Sequence, residues 1–306
     1  MISVSERIID EIVIVSSDIF KTTGILTNTF GHDKWTLSAI RNADDEIERL
    51  EAVNVMEGSK ALRVIEPRSA SRFKRFLDNV GEGIFAIIER IPDENWERFK
   101  AHLESRGVDV AVEADLAWAD LSNQLGAFYG FRKASAPAYP ADGSGSLRQV
   151  CLVTADVRKM AENLSEYLLL GPTEIGRGNS KTVSGAINSE YPEGIPDFEF
   201  LAGMLFFGNL ELEVVQPCHG PLAYFDYVER RKFGFHHLKV EVPQGKWDTT
   251  LKRYYGLGIR EAMAGKIGTC GFSNLLTEDM LGFVYELSDG APMLALPEGY
   301  DPYFYP

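Results

Sequence analysis

The sequence is short of the features that would assign it cheaply. Cysteine occurs only at Cys151, Cys218 and Cys270, an odd number without C-x-x-C spacing, which argues against a disulfide framework or a thiolate zinc site. No apolar run approaches the roughly 18 residues that a membrane-spanning helix needs, and Met1 to Phe20 lacks the order of a signal peptide. Positive charge is scarce too: 31 Lys and Arg stand against 45 Asp and Glu, for a formal net charge of -14. With no basic block to offset it, that charge speaks against nucleic acid as a partner. The 306 residues, 45% hydrophobic, suffice for one large or two medium domains with ordinary cores. The expectation is a cytoplasmic protein, monomer or homodimer, that takes a small-molecule substrate and touches neither nucleic acid nor membrane.

What is present is self-similarity. GIFAIIERIPDENWERFKAHLESRGV from Gly83 aligns without gaps with GFHHLKVEVPQGKWDTTLKRYYGLGI from Gly234, matching Gly83 with Gly234, Pro92 with Pro243, Trp96 with Trp247 and Gly107 with Gly258. Each copy reads as strand, proline turn, helix and glycine stop. DEIVIVSSDI from Asp10 matches RQVCLVTADV from Arg148, a β-branched strand running into a helix-capping aspartate, Asp18 or Asp156. LRVIEP ending at Pro67 matches LEVVQP ending at Pro217, and LGAFYG from Leu125 matches LGFVYE from Leu281.

These landmarks recur in one order and imply a duplication of about half the chain. The Ala-, Pro-, Gly- and Ser-rich stretch 134–146 separates the copies. Domains are therefore expected at 1–135 and 147–306 with a linker at 136–146. Each half repeats the plan strand, helix, strands, giving modules near 8–68, 82–133, 147–218 and 233–298. A lone module would leave an apolar sheet face bare, so the predicted fold is α+β: four βαβββ modules paired into two half-closed antiparallel β-barrels.

Comparing the copies at polar positions locates the chemistry. The first carries Glu11, Arg63, Ala86 and Gly130 where the second carries Gln149, Glu213, His237 and Glu286. All four residues of the second set can give a lone pair to a metal, and a divalent cation would resolve the cost of two carboxylates in apolar strands. In the first copy, Glu11 and Arg63 are expected to form a buried ion pair in place of a metal.

Together, the amide-led strand at Gln149, the E-x-x-x-P strand from Glu213 to Pro217, G-F-H-H from Gly234 to His237 and Y-E-L from Tyr285 to Leu287 resemble the vicinal oxygen chelate superfamily. The resemblance is to its glyoxalase I and methylmalonyl-CoA epimerase branch, and it is fullest over the last two modules. It implies that Gln149, Glu213, His237 and Glu286 are the metal ligands, with zinc preferred and Mn, Co, Ni or Fe compatible with the donor set. It also implies an isomerase or lyase that abstracts a proton next to a metal-bound carbonyl or hydroxyl, Glu286 acting as base and Gln149 polarising the substrate.

Two departures shape that reading. The superfamily's epimerases and ring-cleaving dioxygenases have histidine where Gln149 stands, so the extradiol-type dioxygenase is an alternative reading. The epimerases' extra glutamate has no counterpart in GMLFFG from Gly203. A small-molecule sequestering protein is the third reading. The excursion from Pro172 to Phe198 is expected to form a lid, and the tail PEGYDPYFYP to pack on the partner domain or wall the pocket. His32, His102 and His219 are expected at solvated positions, the acidic segment from Asp44 likewise, and His236 is expected to make an ordinary hydrogen bond.

Overall fold

The computed structural model describes residues 6–143, 145–290 and 303–305. Two compact units emerge. One runs to Leu147 and includes Phe207–Leu210 and Asp279–Phe283; the other comprises Arg148–Phe206, Glu211–Glu278 and the chain from Val284. Among the described residues no helix is long and apolar enough to cross a membrane.

The first eleven elements are β1 (Ile8–Val15), α1 (Ile19–Phe30), β2 (Trp35–Arg41), β3 (Ile47–Met56), β4 (Lys60–Pro67), α2 (Arg72–Asn79), β5 (Gly83–Ile91), α3 (Asp93–Glu104), β6 (Val110–Glu113), β7 (Leu116–Leu121) and β8 (Ala127–Lys133). Their strands form one curled sheet in the order β2-β3-β4-β1-β5-β8-β7-β6. Two modules thus meet at the antiparallel β1–β5 pair, while β1–β4 and β5–β8 run parallel within each module.

The second half repeats the plan with β9 (Leu147–Val153), α4 (Val157–Leu168), β10 (Thr173–Asn179), β11 (Val183–Ile187), β12 (Glu199–Phe206), β13 (Glu211–His219), α5 (Tyr224–Arg231), β14 (Gly234–Glu241), α6 (Trp247–Gly256), β15 (Glu261–Ile267), β16 (Cys270–Leu275), α7 (Glu278–Leu281), β17 (Val284–Ser288) and β18 (Tyr303–Tyr305). Its sheet order is β11-β15-β16-β17-β14-β9-β13-β12-β10-β18. The α+β fold of paired modules stands as the sequence indicates.

Local chemistry fixes the repeated junctions. Asp18 accepts from the amides of Phe20 and Lys21, and Asp156 from those of Arg158 and Lys159, so each aspartate satisfies donors that the first helical turn leaves open. The residue before each strand-ending proline completes the cap. Glu66 Oε2 accepts from Ile19 N at 3.0 Å and Gln216 Oε1 from Val157 N at 2.9 Å. Each barrel then closes on large buried side chains, each worth about 1.5–3 kcal/mol of burial. Phe73, Phe85, Trp118 and Phe128 fill the first, and Phe198, Phe200, Tyr224, Met263 and Phe272 the second.

Several expectations need correction. The excursion from Pro172 to Phe198 is not a lid: it contains β10 and β11, and β11 pairs with β15 while Val183, Ala186, Ile195 and Phe198 enter the core. His32 is buried, not solvated, because the αL stop at Gly31 turns the chain back onto α1. Burial depresses its pKa to about 4, against an opposing pull from Asp33. Glu51, inside the acidic segment, is buried on β3 and salt-bridged to Arg49 and Arg63. The tail 297–306 lies outside the described residues except for β18, whose backbone pairs antiparallel with β10.

Candidate metal centre

Period-two alternation points every candidate into the second barrel. Gln149 and Cys151 share a face of β9, His237 and Lys239 a face of β14, and the parallel registers set Cys151 beside Glu213 and Lys239 beside Glu286. The four residues singled out in the sequence come together as one connected group. His237 Nε2 lies 2.7 Å from Glu286 Oε2 and 3.3 Å from Glu213 Oε2, and Gln149 Nε2 donates to Glu213 Oε2 at 2.7 Å.

The imidazole is the pivot. Its two Nε2 neighbours are close, yet neither is aligned as a hydrogen bond, so this buried nitrogen is left without a hydrogen-bond partner. On the other side, His237 Nδ1 and His236 Nδ1 are 3.1 Å apart. The tautomer in which His237 Nδ1 donates leaves the Nε2 lone pair facing the two carboxylates, the usual arrangement of a metal-bound histidine. Donor atoms around a zinc-sized ion stand roughly 3 Å apart, given bonds of about 2.0–2.2 Å. The orphaned lone pair, the carboxylates and the spacing therefore fit a divalent cation.

The two carboxylates make the pocket negative and favour a cation at Nε2, whether a proton or a metal ion. Burial works against a charged His237, but the Glu286 and Glu213 carboxylates outweigh it and raise the imidazole above its usual range. Burial likewise pushes against ionised Glu213, and is overcome by His237 and Lys239, so this carboxyl lies below its usual range. His236 is driven the other way by burial and by His237, and stays neutral.

Sequence reasoning missed two residues. Cys151 puts its sulfur within 4.8 Å of ligand-capable atoms of both Glu213 and His237; burial and the Glu213 and Glu286 charges hold the thiol protonated. Lys239 is the larger omission. Its ammonium donates to Gln149 Oε1 at 3.0 Å and lies 2.9 Å from Glu286 Oε1. Burial disfavours that charge, but Glu286 and Glu213 more than compensate and keep it above the usual lysine range. The duplication carried the signal, since the same offset that aligns Ala86 with His237 aligns Ile88 with Lys239. Aromatic rings wall the site: Tyr224 stands 5.1 Å from the His236 ring and 6.5 Å from that of His237, and Phe200 packs on Tyr224 at 6.4 Å.

The matching positions of the first barrel hold an ion cluster. Arg63 donates to Glu11 Oε1 at 2.9 Å and to Tyr139 Oη at 3.2 Å, and bonds Glu51 as well; Arg132 bonds both Glu11 and Asp10. Burial alone would raise Glu11, yet Arg63 and Arg132 pull its pKa down to about 2. A cavity of about 320 Å³ adjoins the cluster, lined among others by Arg49, Arg63, Trp118 and Arg132.

No protein-family model and no curated protein sequence matches the chain. Solved structures do. A mutant of 4-hydroxymandelate synthase from Streptomyces coelicolor is similar over 95% of this chain and 94% of its own, with TM-score 0.63 and 13% identity. A xylose isomerase-like TIM barrel/4-hydroxyphenylpyruvate dioxygenase fusion protein is similar over 97% of this chain and 50% of its own, with TM-score 0.55 and 10% identity. At such identities the likeness is one of fold alone, and it extends over nearly the whole chain.

Proposed function

We propose that the chain is a single-ion metalloenzyme performing oxygen-dependent chemistry on a small chelating organic acid, with Glu213, His237 and Glu286 at the ion and Gln149 beside them. The observation that carries this reading is the buried, unmatched Nε2 of His237 between two carboxylates. The whole-length fold likeness to a 4-hydroxymandelate synthase favours an oxygenase over the glyoxalase I branch. A divalent ion held here would supply Lewis acidity and, if iron(II), electrons for dioxygen. Iron leads on the fold likeness, but one imidazole with carboxylates departs from the usual two-histidine, one-carboxylate iron set, so zinc, manganese, cobalt and nickel remain candidates.

The chain's own groups have definite tasks. His236 orients the imidazole, and Lys239 fixes the Glu286 carboxylate. Tyr224 keeps its phenolic proton, because burial and the nearby Glu213 and Cys151 disfavour its ionised form, so it can act only as a neutral group at the site. Tyr224, with Phe200 packed on it, supplies an aromatic wall beside the two imidazoles that suits an aryl substituent. In this reading the first domain is a metal-free scaffold, with Arg63 replacing the ion.

Proton transfer by an isomerase or lyase is the second reading, favoured by Gln149 standing where an imidazole would suit oxygen chemistry. The Lys239 contact weighs against Glu286 as its free base. Anaerobic loading with iron(II), followed by oxygen uptake on adding 4-hydroxyphenylpyruvate or phenylpyruvate, tests the first reading. Metal-dependent uptake supports it. Stoichiometric metal with no uptake, but with deuterium entering the carbon next to the carbonyl, would transfer the assignment to the second, and no bound metal would leave a sequestering protein.

A further inference from the structure

We propose that Lys239 is a positioning residue that locks the Gln149 side chain out of the metal's ligand set, leaving Glu213, His237 and Glu286 as the protein ligands. This deepens the reading above and rests on it. A carboxamide offers a metal its oxygen, not its nitrogen. Gln149 Oε1 already accepts from the Lys239 ammonium at 3.0 Å, and the group that faces Glu213 is the Nε2 donor, at 2.7 Å. Turning the amide over would set Nε2 against an ammonium and Oε1 against a carboxylate, two buried contacts of like polarity. The cation therefore decides which end of Gln149 the site sees.

Comparison within the chain shows that the lysine is tied to the site. In the first barrel the position of Lys239 is Ile88 and that of Glu286 is Gly130, paired in the same parallel register. A Cβ on Gly130 would lie 2.7 Å from Ile88 Cγ1, so the isoleucine fills the space that a side chain at 130 would need. The second barrel exchanges this apolar pair for Lys239 with Glu286, and Ala86 for His237. Where the metal-capable histidine is absent, so is the lysine. Lys239 also engages Glu286 through Oε1, leaving Oε2 toward His237.

The test is cobalt(II) binding to the metal-stripped full-length protein, read by calorimetry and by the visible absorption of the bound ion. Gln149→Ala alone should change the cobalt Kd less than about three-fold and leave the spectrum unaltered. Lys239→Met should alter the spectrum as the amide oxygen becomes free to bind, and Gln149→Ala added to it should then weaken cobalt at least ten-fold. A ten-fold loss or a spectral change from Gln149→Ala with Lys239 intact would overturn the proposal, and that arm holds even if Lys239→Met fails to fold. If the wild type takes up no cobalt, the metal reading falls and the lock is read separately by NMR. The Gln149 side-chain amide protons, identified by their loss in Gln149→Ala, should exchange slowly in the wild type and fast in Lys239→Met. Equal rates in the two proteins would refute it.

Discussion

At the scale of single residues, the two barrels solve one problem differently. Both place acids in a dry interior, and both must balance them. Glu11 is fully buried against Arg63 and Arg132, so removing the Arg63 guanidinium leaves it salt-bridged only to Arg132, already shared with Asp10, and Glu51 only to Arg49. Arg63→Met should cost about 3–5 kcal/mol by chemical denaturation, the usual penalty for breaking a buried pair, and adding Glu11→Leu should restore part of the loss. In the second barrel, His236 is buried against the Tyr224 and Tyr227 rings and reaches His237 through its far nitrogen. His236→Phe should weaken metal binding roughly 10- to 100-fold while the fold persists, whereas His237→Ala should lower it further. Calorimetric titration with zinc distinguishes the two, and equal affinity in His236→Phe and wild type would remove the supporting role.

At the scale of elements, close approaches between neighbouring strands are the sensitive points. The helical Gly24 has open space around its missing Cβ, whereas Gly130 has Ile88 there and Gly178 the Phe200 ring. Gly24→Ala should therefore stabilise by about 0.4–1 kcal/mol, and Gly130→Ala and Gly178→Ala should each destabilise by about 1–3 kcal/mol, as read from denaturation midpoints. The same distinction between local and distant contacts governs what the sequence reveals. Alternation, proline stops and aspartate caps are local, so the four modules, Asp18 and Asp156 are readable directly. The β11–β15 pairing joins residues some 80 apart, so β11 reads locally as a polar excursion. Half the residues of helices α2 and α5 are charged, and each buries only two side chains, Phe73 and Phe76 or Tyr224 and Tyr227, too few to show a period. Gln149, Glu213, His237 and Glu286 were legible because the copies could be compared at ligand-capable positions. Lys239 is not legible in that way, because an ammonium gives no lone pair to a metal.

For the molecule as a whole, pH offers a lever on the first unit that does not involve the candidate centre. His32 is buried, and its pKa falls from 6.5 to about 4 in the folded protein, so the unfolded chain binds a proton that the folded one refuses between those values. Stability therefore falls as the solution is acidified from pH 6.5 and the loss saturates near pH 4; above pH 6.5 the group is neutral in both states and contributes no slope. A gap of that size corresponds to about 3 kcal/mol at its fullest, at about 1.36 kcal/mol per pH unit. Glu11 acts in a lower window. Its pKa near 2 supplies stability that is complete above about 4.5 and is lost only as pH falls toward 2, so the two groups do not mask each other. His32→Gln, which cannot take up a proton, should reduce the dependence of the melting temperature between pH 6.5 and 4, leaving the share that buried His236 contributes in the same direction and the fall below pH 4 in place. An unchanged slope in that variant would mean that His32 already titrates freely in the folded chain, which its burial does not permit.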